Sequence, residues 1–124
     1  MIRVVIADDS PDVRDGLSSL IDGQSDFVVV GTAGDGLEAV EKAKDQRPDI
    51  VIMDAQLPMM DAIEATRRIK RDFPSISILF LSTFTDYIEA TRTAECDGYL
   101  TKDCGPKQLY AEVRRIVASR KSSE

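Results

Sequence analysis

The sequence predicts an α/β protein with a five-stranded parallel sheet and five helices. Short runs of β-branched and other apolar residues recur five times, and stretches with the apolar spacing of amphipathic helices separate them. Strands alternating with helices form parallel sheets through right-handed crossovers, with helices on both faces. A length of 124 residues suits one domain. We therefore expect a three-layer sandwich over residues 1–119, with residues 120–124 as a tail or the start of a linker.

The first 46 residues predict two strands and two helices. Residues 2–7 form an apolar run that ends at Asp8, and Ser10-Pro11 then supplies an N-cap followed by proline at the first helical position. A second strand is predicted over residues 27–30 and a loop over residues 31–36. The second helix is predicted over residues 37–44. The apolar residues at helical spacing are Val13, Leu17, Leu20 and Ile21 in the first helix and, facing inward, Leu37, Val40 and Ala43 in the second.

The remaining elements follow the same alternation. Residues 49–54 are nearly all apolar, which indicates a central strand covered on both faces. A helix over 62–71, a strand over 76–81, a weaker helix over 87–94 and a short strand over 98–100 come next. The last helix opens at Pro106. One side of the third helix carries Ile63, Thr66 and Ile69. The residues expected on the inner face of the last helix are Leu109, Val113, Ile116 and Val117.

Composition excludes several kinds of function. The 22 acidic residues exceed the 16 basic ones, and a net charge of −6 argues against non-specific nucleic-acid binding. The absence of histidine excludes histidine-based triads, histidine–zinc sites and a phosphohistidine within this chain. Cys96 and Cys104 form no disulfide framework. No apolar run is long enough to cross a bilayer and no signal-peptide pattern is evident, so we expect no membrane partner and a cytoplasmic location.

Carboxylates follow two of the predicted strands. Asp8 and Asp9 follow the first strand and Asp54 ends the third, and functional groups of such sheets lie beyond the carboxyl ends of the strands. If the strand order is 2-1-3-4-5, the first and third strands are neighbours and these acids converge. Two carboxylates about 4 Å apart repel by about 4 kcal/mol at an effective dielectric near 20. A hard divalent cation such as Mg²⁺ removes this repulsion, so the acids predict a magnesium site.

Ser82 and Lys102 follow the fourth and fifth strands, at the same edge. A hydroxyl and an ammonium opposite a metal-binding carboxylate suit phosphoryl transfer, with Asp54 as the nucleophile. Taken singly, an acid pair is usually a cap or a solvated turn, and a strand-end serine or lysine is usually structural or solvated. The coincidence of five suitable groups at four strand ends favours the functional interpretation.

These residues resemble the receiver domain of response regulators in two-component signalling, and the last motif is similar to the NarL/FixJ-type subfamily. The resemblance spans residues 1–119 and implies a flavodoxin-like (CheY-like) fold. The matching motifs are Val5-Ile6-Ala7-Asp8-Asp9, Ile52-Met53-Asp54 with Leu57-Pro58, Leu81-Ser82 and Gly98-Tyr99-Leu100-Thr101-Lys102-Asp103.

The resemblance implies a role for each site residue. Asp54 would be the phosphoacceptor, and Mg²⁺ would be held by Asp8, Asp9, Asp54 and the backbone carbonyl of Gln56. Lys102 and Ser82 would pair with the phosphoryl group. Tyr99 would be the aromatic switch that turns inward when Ser82 moves.

The resemblance also implies partners. A sensor histidine kinase would donate the phosphoryl group, and phosphorylation would favour a homodimer. DNA would be bound only through a C-terminal helix-turn-helix output domain absent from this chain, which would control transcription. The domain would be a signalling phosphoacceptor and not an enzyme in the ordinary sense.

Some positions depart from the family pattern, and other functions compete. Met59 and Ala62 stand where glycines are usual, Glu95-Cys96 replaces a Gly-Ala pair, and the segment before Lys102 is short. One alternative is a receiver-like interaction module regulated without phosphorylation. A haloacid-dehalogenase-type phosphatase would need a second acid two residues after Asp54, where Gln56 stands. An FMN carrier would need a phosphate-cradling loop where the acid pair lies.

Overall fold

The computed structural model describes residues 1–83 and 96–122, which form one parallel sheet with helices on both of its faces. The order of the strands is β2-β1-β3-β4-β5. The strands are β1 (Ile2–Ala7), β2 (Phe27–Ala33), β3 (Ile50–Asp54), β4 (Ser77–Ser82) and β5 (Gly98–Thr101). The helices in the described residues are α1 (Pro11–Asp22), α2 (Gly36–Gln46), α3 (Ala62–Asp72) and α4 (Pro106–Ser122).

The predicted parallel sheet and its strand order are confirmed. Four of the five predicted helices lie within the described residues, and the predicted helix over 87–94 lies outside them. The predicted start of α1 is also confirmed, because Ser10 Oγ accepts a hydrogen bond from the Val13 N–H and Pro11 is the first helical residue. No helix in the described parts of the chain is long and apolar enough to span a membrane.

The predicted loop over residues 31–36 is wrong, because β2 extends to Ala33 and α2 begins at Gly36. Val4 pairs with Val29 but Val5 pairs with Gly31, so the register between β1 and β2 shifts by one residue. Such a bulge lets pairing continue through a glycine, which in a strand often marks a bulge and not a strand end.

Two hydrophobic clusters cover the two faces of the sheet. One packs α2 and α3 against the strands, and the other packs α1 and α4 against the opposite face. Four residues of α4 are buried as predicted: Leu109, Val113, Ile116 and Val117. The inward position predicted for Leu37 is wrong, since its side chain is 42% exposed. The buried residues of α2 are Gly36, Ala39 and Ala43, so the closely packed stripe of this helix consists of small residues.

Candidate functional site

The register of the sheet brings four strand ends together. Ala7 pairs with Met53, so Asp8 and Asp54 come next along neighbouring strands. On the other side, Asp54 pairs with Leu81, and Ser82 pairs with Thr101, the residue before Lys102. Parallel strands all end at the same edge, so the predicted site residues share this edge as expected from the sequence.

Three carboxylates meet at this edge. Asp8 and Asp54 are buried and Asp9 is exposed, and one carboxylate oxygen from each lies within 4.8 Å of the others. Hard cations such as Mg²⁺ prefer oxygen ligands. The donor set therefore fits Mg²⁺ by its chemistry, with Asp9 open to solvent.

Lys102 lies between the two buried acids. Its Nζ is 3.1 Å from Asp8 Oδ2 and 3.0 Å from Asp54 Oδ2. Burial lowers the pKa of Lys102, but the hydrogen bonds to Asp54 and Asp8 outweigh burial and raise it above its ordinary value. Lys102 is therefore a charged ammonium that offsets much of the repulsion between these two carboxylates.

Asp54 has one oxygen in a backbone hydrogen bond and the other in the ion pair. The Gln56 N–H donates to Asp54 Oδ1 at 3.0 Å, while Oδ2 accepts from Lys102. Burial raises the pKa of Asp54 above its ordinary value, although Gln56 and Lys102 act in the opposite direction, and the charge of Asp8 raises it further. Asp54 is thus a desolvated carboxylate held in a fixed orientation.

Asp8 is fixed through its backbone as well as its carboxylate. Its N–H donates to the Ala33 carbonyl at 3.0 Å, and its Oδ1 accepts from the Ser10 N–H at 2.9 Å. Its carbonyl accepts a hydrogen bond from Arg14 Nη1 at 2.7 Å. The sequence analysis missed Arg14. The only available signal was its place in the first turns of the helix that follows the acid pair.

The hydroxyl of Ser82 lies beneath the surface. The residue is fully buried, and its Oγ has no hydrogen-bond partner within the parts of the chain that the structure describes. Ser82 borders a cavity of about 260 Å³ together with Lys102. An unsatisfied buried hydroxyl calls for an explanation, and a ligand that reaches it on binding is one.

An open depression of about 550 Å³ lies over the acids, and Thr83, not Ser82, contributes to its lining. Thr83 is a second residue that the sequence analysis missed, although it directly follows Ser82. The residues that line the depression are Asp9, Asp54, Ala55, Gln56, Leu57, Pro58, Asp61, Thr83 and Lys102.

Tyr99 is 39% exposed on β5, the edge strand of the sheet.

The loop between β3 and α3 forms one wall of the depression. Met59 has φ 70°, a left-handed conformation that favours glycine, and its side chain is 83% exposed. Ala62 is buried as the first residue of α3, behind the Asp61 N-cap.

Cys96 is half-buried and packs against the hydrophobic cluster under α2 and α3, while Glu95 lies outside the described residues.

A parallel sheet with an acid triad and a lysine at its carboxyl edge defines a class of phosphoryl-accepting signalling domains. The family model for the response regulator receiver domain matches residues 4–114. The chain belongs to the response-regulator receiver family, whose members are signalling phosphoacceptors and not enzymes in the ordinary sense.

Individual proteins similar to this chain support the same family assignment. The transcriptional regulatory protein LnrK of Bacillus subtilis is 42% identical over 94% of this chain and 54% of its own length. The response regulator VraR of Staphylococcus aureus is 39% identical over 92% of this chain and 56% of its own. A solved LuxR-family response regulator from Aurantimonas sp. is 34% identical, with a TM-score of 0.84 over 95% of this chain and 86% of its own.

The relatives confirm the predicted NarL-like subfamily, since they are of the NarL/LuxR type. The chain spans about half the length of the curated relatives that it matches. What those longer proteins do as a whole therefore concerns this chain only as a proposal.

Proposed function

We propose that Asp54 accepts a phosphoryl group from the phosphohistidine of a sensor kinase in a Mg²⁺-dependent reaction. The observation that carries this proposal is the convergence of one ammonium on two buried carboxylates, with Asp9 open to solvent beside them. A cluster that served only stability would gain little from burying two like charges together.

Asp8, Asp9, Asp54 and the backbone carbonyl of Gln56 are the proposed holders of the ion. When bound, Mg²⁺ supplies positive charge beside the oxygens of the transferring group. The Gln56 N–H holds one oxygen of Asp54 in place, which orients the carboxylate before the donor arrives.

In the transfer step, a carboxylate oxygen of Asp54 attacks phosphorus while the P–N bond of the donor phosphohistidine breaks. The electron pair of that bond goes to the departing imidazole, and Asp54 becomes an acyl phosphate. Lys102 already contacts Asp54, so its ammonium needs only a short movement to pair with the new phosphoryl oxygens.

The added charge provides the switch. A phosphoryl group brings about −1.5 to −2 charges at neutral pH. The proposed response draws Ser82 and Lys102 toward it, and the buried Ser82 hydroxyl, which has no hydrogen-bond partner among the described residues, supports this part of the proposal. Tyr99 then turns inward, which biases a two-state equilibrium on the face around the predicted fourth helix, β5 and α4.

The proposed partners follow from the family. These are a sensor histidine kinase, a second copy of the domain after phosphorylation, and a C-terminal helix-turn-helix output domain outside this chain that acts on transcription. LnrK, a relative of this chain, is by name a transcriptional regulatory protein, which supports the last point. The proposed location is the cytoplasm, where response regulators typically occur.

The test is incubation with acetyl phosphate, with and without Mg²⁺, followed by intact-mass measurement. We expect one Mg²⁺-dependent phosphoryl adduct, lost in Asp54→Ala. Asp61→Asn is the matched control, because it removes a carboxylate from the same depression while asparagine still caps α3. A folded wild-type protein that forms no adduct would favour the interaction module regulated without phosphorylation.

A further inference from the structure

We infer that Arg14 is a positioning residue for the magnesium site, acting through the backbone between Asp8 and Asp9. The inference rests on the proposed function, because it concerns the same ion. The Arg14 guanidinium contacts neither the acid carboxylates nor, in the proposed reaction, the phosphoryl group.

The contact of Arg14 is with a peptide group. Its Nη1 donates to the Asp8 carbonyl at 2.7 Å, from a half-buried place in α1. A hydrogen bond from a charged donor is about twice as strong as a neutral one. Because the peptide unit is planar, fixing the direction of this carbonyl also fixes the N and Cα atoms of Asp9.

Asp9 depends on this support more than its neighbours do. Asp8 and Asp54 have carboxylates held by hydrogen bonds and by Lys102. The Asp9 side chain is exposed, and no hydrogen bond or ion pair holds it in the described residues. The backbone that carries its Cβ atom is therefore the part of Asp9 that the fold holds beside the other two acids.

The fold leaves room for the guanidinium at Gly34. A Cβ there would lie 3.2 Å from Arg14 Nη1 and 3.4 Å from Glu38 Oε1. Gly34 does not have a positive φ, so the backbone conformation does not require glycine. The Gly34 N–H donates to Glu38 Oε1 at 2.7 Å, which holds the loop before α2 against the Arg14 side chain.

The experiment measures Mg²⁺ binding directly, by isothermal titration calorimetry of the whole chain. Arg14→Met should weaken Mg²⁺ affinity roughly 10-fold, the lower end of what removing the support of a metal ligand costs. Arg14→Lys should recover part of the affinity, because lysine keeps a charged donor. Gly34→Ala should weaken affinity by a smaller factor, because it displaces the guanidinium while Arg14 remains.

The acetyl phosphate reaction supplies a second readout. The Mg²⁺ concentration for half-maximal labelling of Arg14→Met should rise by the same factor, and the rate at saturating Mg²⁺ should stay near that of the wild type. A loss confined to the saturating rate, with unchanged affinity, would contradict a role through the ion.

Arg114→Met is the matched control. Arg114 makes a bidentate ion pair with Asp26, with Nε–Oδ2 2.9 Å and Nη2–Oδ1 3.0 Å, at a place unconnected with the acids. We expect this variant to keep wild-type Mg²⁺ affinity, whatever stability it loses. Equal weakening in Arg114→Met and Arg14→Met would overturn the inference, as would unchanged affinity in both Arg14→Met and Gly34→Ala. A wild-type chain that binds no Mg²⁺ would overturn the proposed function as well, whereas a failure of the variants alone leaves that function standing.

Discussion

Asp54 is a buried charge whose proposed function as phosphoacceptor opposes its contribution to stability. Burial raises its pKa in the folded chain above the ordinary value of 3.8. At a pH between the ordinary pKa and the raised pKa of Asp54, the folded state keeps a proton that the unfolded state has released. The free energy of unfolding therefore falls as pH rises through this window, and the loss persists at neutral pH.

Asp54→Asn should accordingly stabilise the chain at pH 7 without Mg²⁺. We expect a gain of about 1 kcal/mol, or a rise in melting temperature of about 3–5 °C for a domain of this size. Lys102 keeps Asp8 as an ion-pair partner in the variant. Thermal unfolding followed by circular dichroism measures the effect.

The pH dependence separates this cause from a general packing effect. The advantage of Asp54→Asn should shrink as pH falls through the raised pKa of Asp54, and it should vanish below the ordinary value, where both states of the wild type are protonated. A gain that stayed constant down to acid pH would show that charge burial is not its origin.

Met59 offers a second test with a single residue. Its left-handed backbone costs about 1–2 kcal/mol relative to glycine, and its exposed side chain contributes little packing. Met59→Gly should therefore raise the free energy of unfolding by about 1 kcal/mol, measured by urea denaturation.

Arg47 provides the matched comparison, with φ 47° at the end of α2. Its guanidinium lies 4.0 Å from the centre of the Phe73 ring, and its Nε donates to the Lys44 carbonyl. Arg47→Gly relieves similar strain but loses these contacts, so its gain should be smaller. A larger gain for Arg47→Gly than for Met59→Gly would contradict the argument.

Single residues also show which parts of the site geometry could be predicted from the sequence. Asp8, Asp54 and Lys102 were identifiable because strand ends are visible in the sequence and parallel strands share an edge. Arg14 and Thr83 were not, because each depends on side-chain direction after a turn. The periodicity of a helix or strand does not encode that direction.

At the scale of elements, the start of α2 and the loop before α3 are joined by a very close backbone approach. A Cβ on Gly36 would lie 1.8 Å from the Met60 carbonyl oxygen, and the Gly36 N–H donates to the Pro58 carbonyl at 3.2 Å. This contact fixes the loop that forms a wall of the depression beside Asp54.

Gly36→Ala should therefore cost at least about 2 kcal/mol of unfolding free energy, since backbone must move to admit the methyl group. It should also slow labelling by acetyl phosphate. Gly16→Ala is the control, because a Cβ there meets nothing within 4 Å and alanine favours the helix by about 1 kcal/mol. Chemical denaturation of both variants measures the difference, and equal stabilities would contradict the close approach.

The elements were predictable in kind and order but less so in extent. The pattern located all five strands because parallel strands are apolar throughout. It ended β2 too early because a bulge at a glycine looks like a turn in the sequence. It placed Leu37 inward because large apolar residues usually mark the buried stripe, whereas the tight approach of α2 to its neighbours selects glycine and alanine.

At the scale of the whole molecule, the site couples to folding because its acids come from separate parts of the chain. Asp8 and Asp54 are 46 residues apart in sequence and meet only when β1 pairs with β3. An ion that binds this cluster therefore binds the folded state in preference to the unfolded one, and it stabilises the fold by mass action.

Mg²⁺ at ten times its dissociation constant should add about 1.4 kcal/mol to the free energy of unfolding. Asp9→Asn should lose most of this gain, because it removes the solvent-facing carboxylate while the Lys102 ion pairs remain. Without Mg²⁺ the variant should be at least as stable as the wild type, since one of three repelling charges is gone. NaCl at matched ionic strength controls for general screening. If Mg²⁺ stabilised Asp9→Asn as much as the wild type, the ion would bind elsewhere, because an ion held by the three acids must lose affinity when the Asp9 carboxylate is removed.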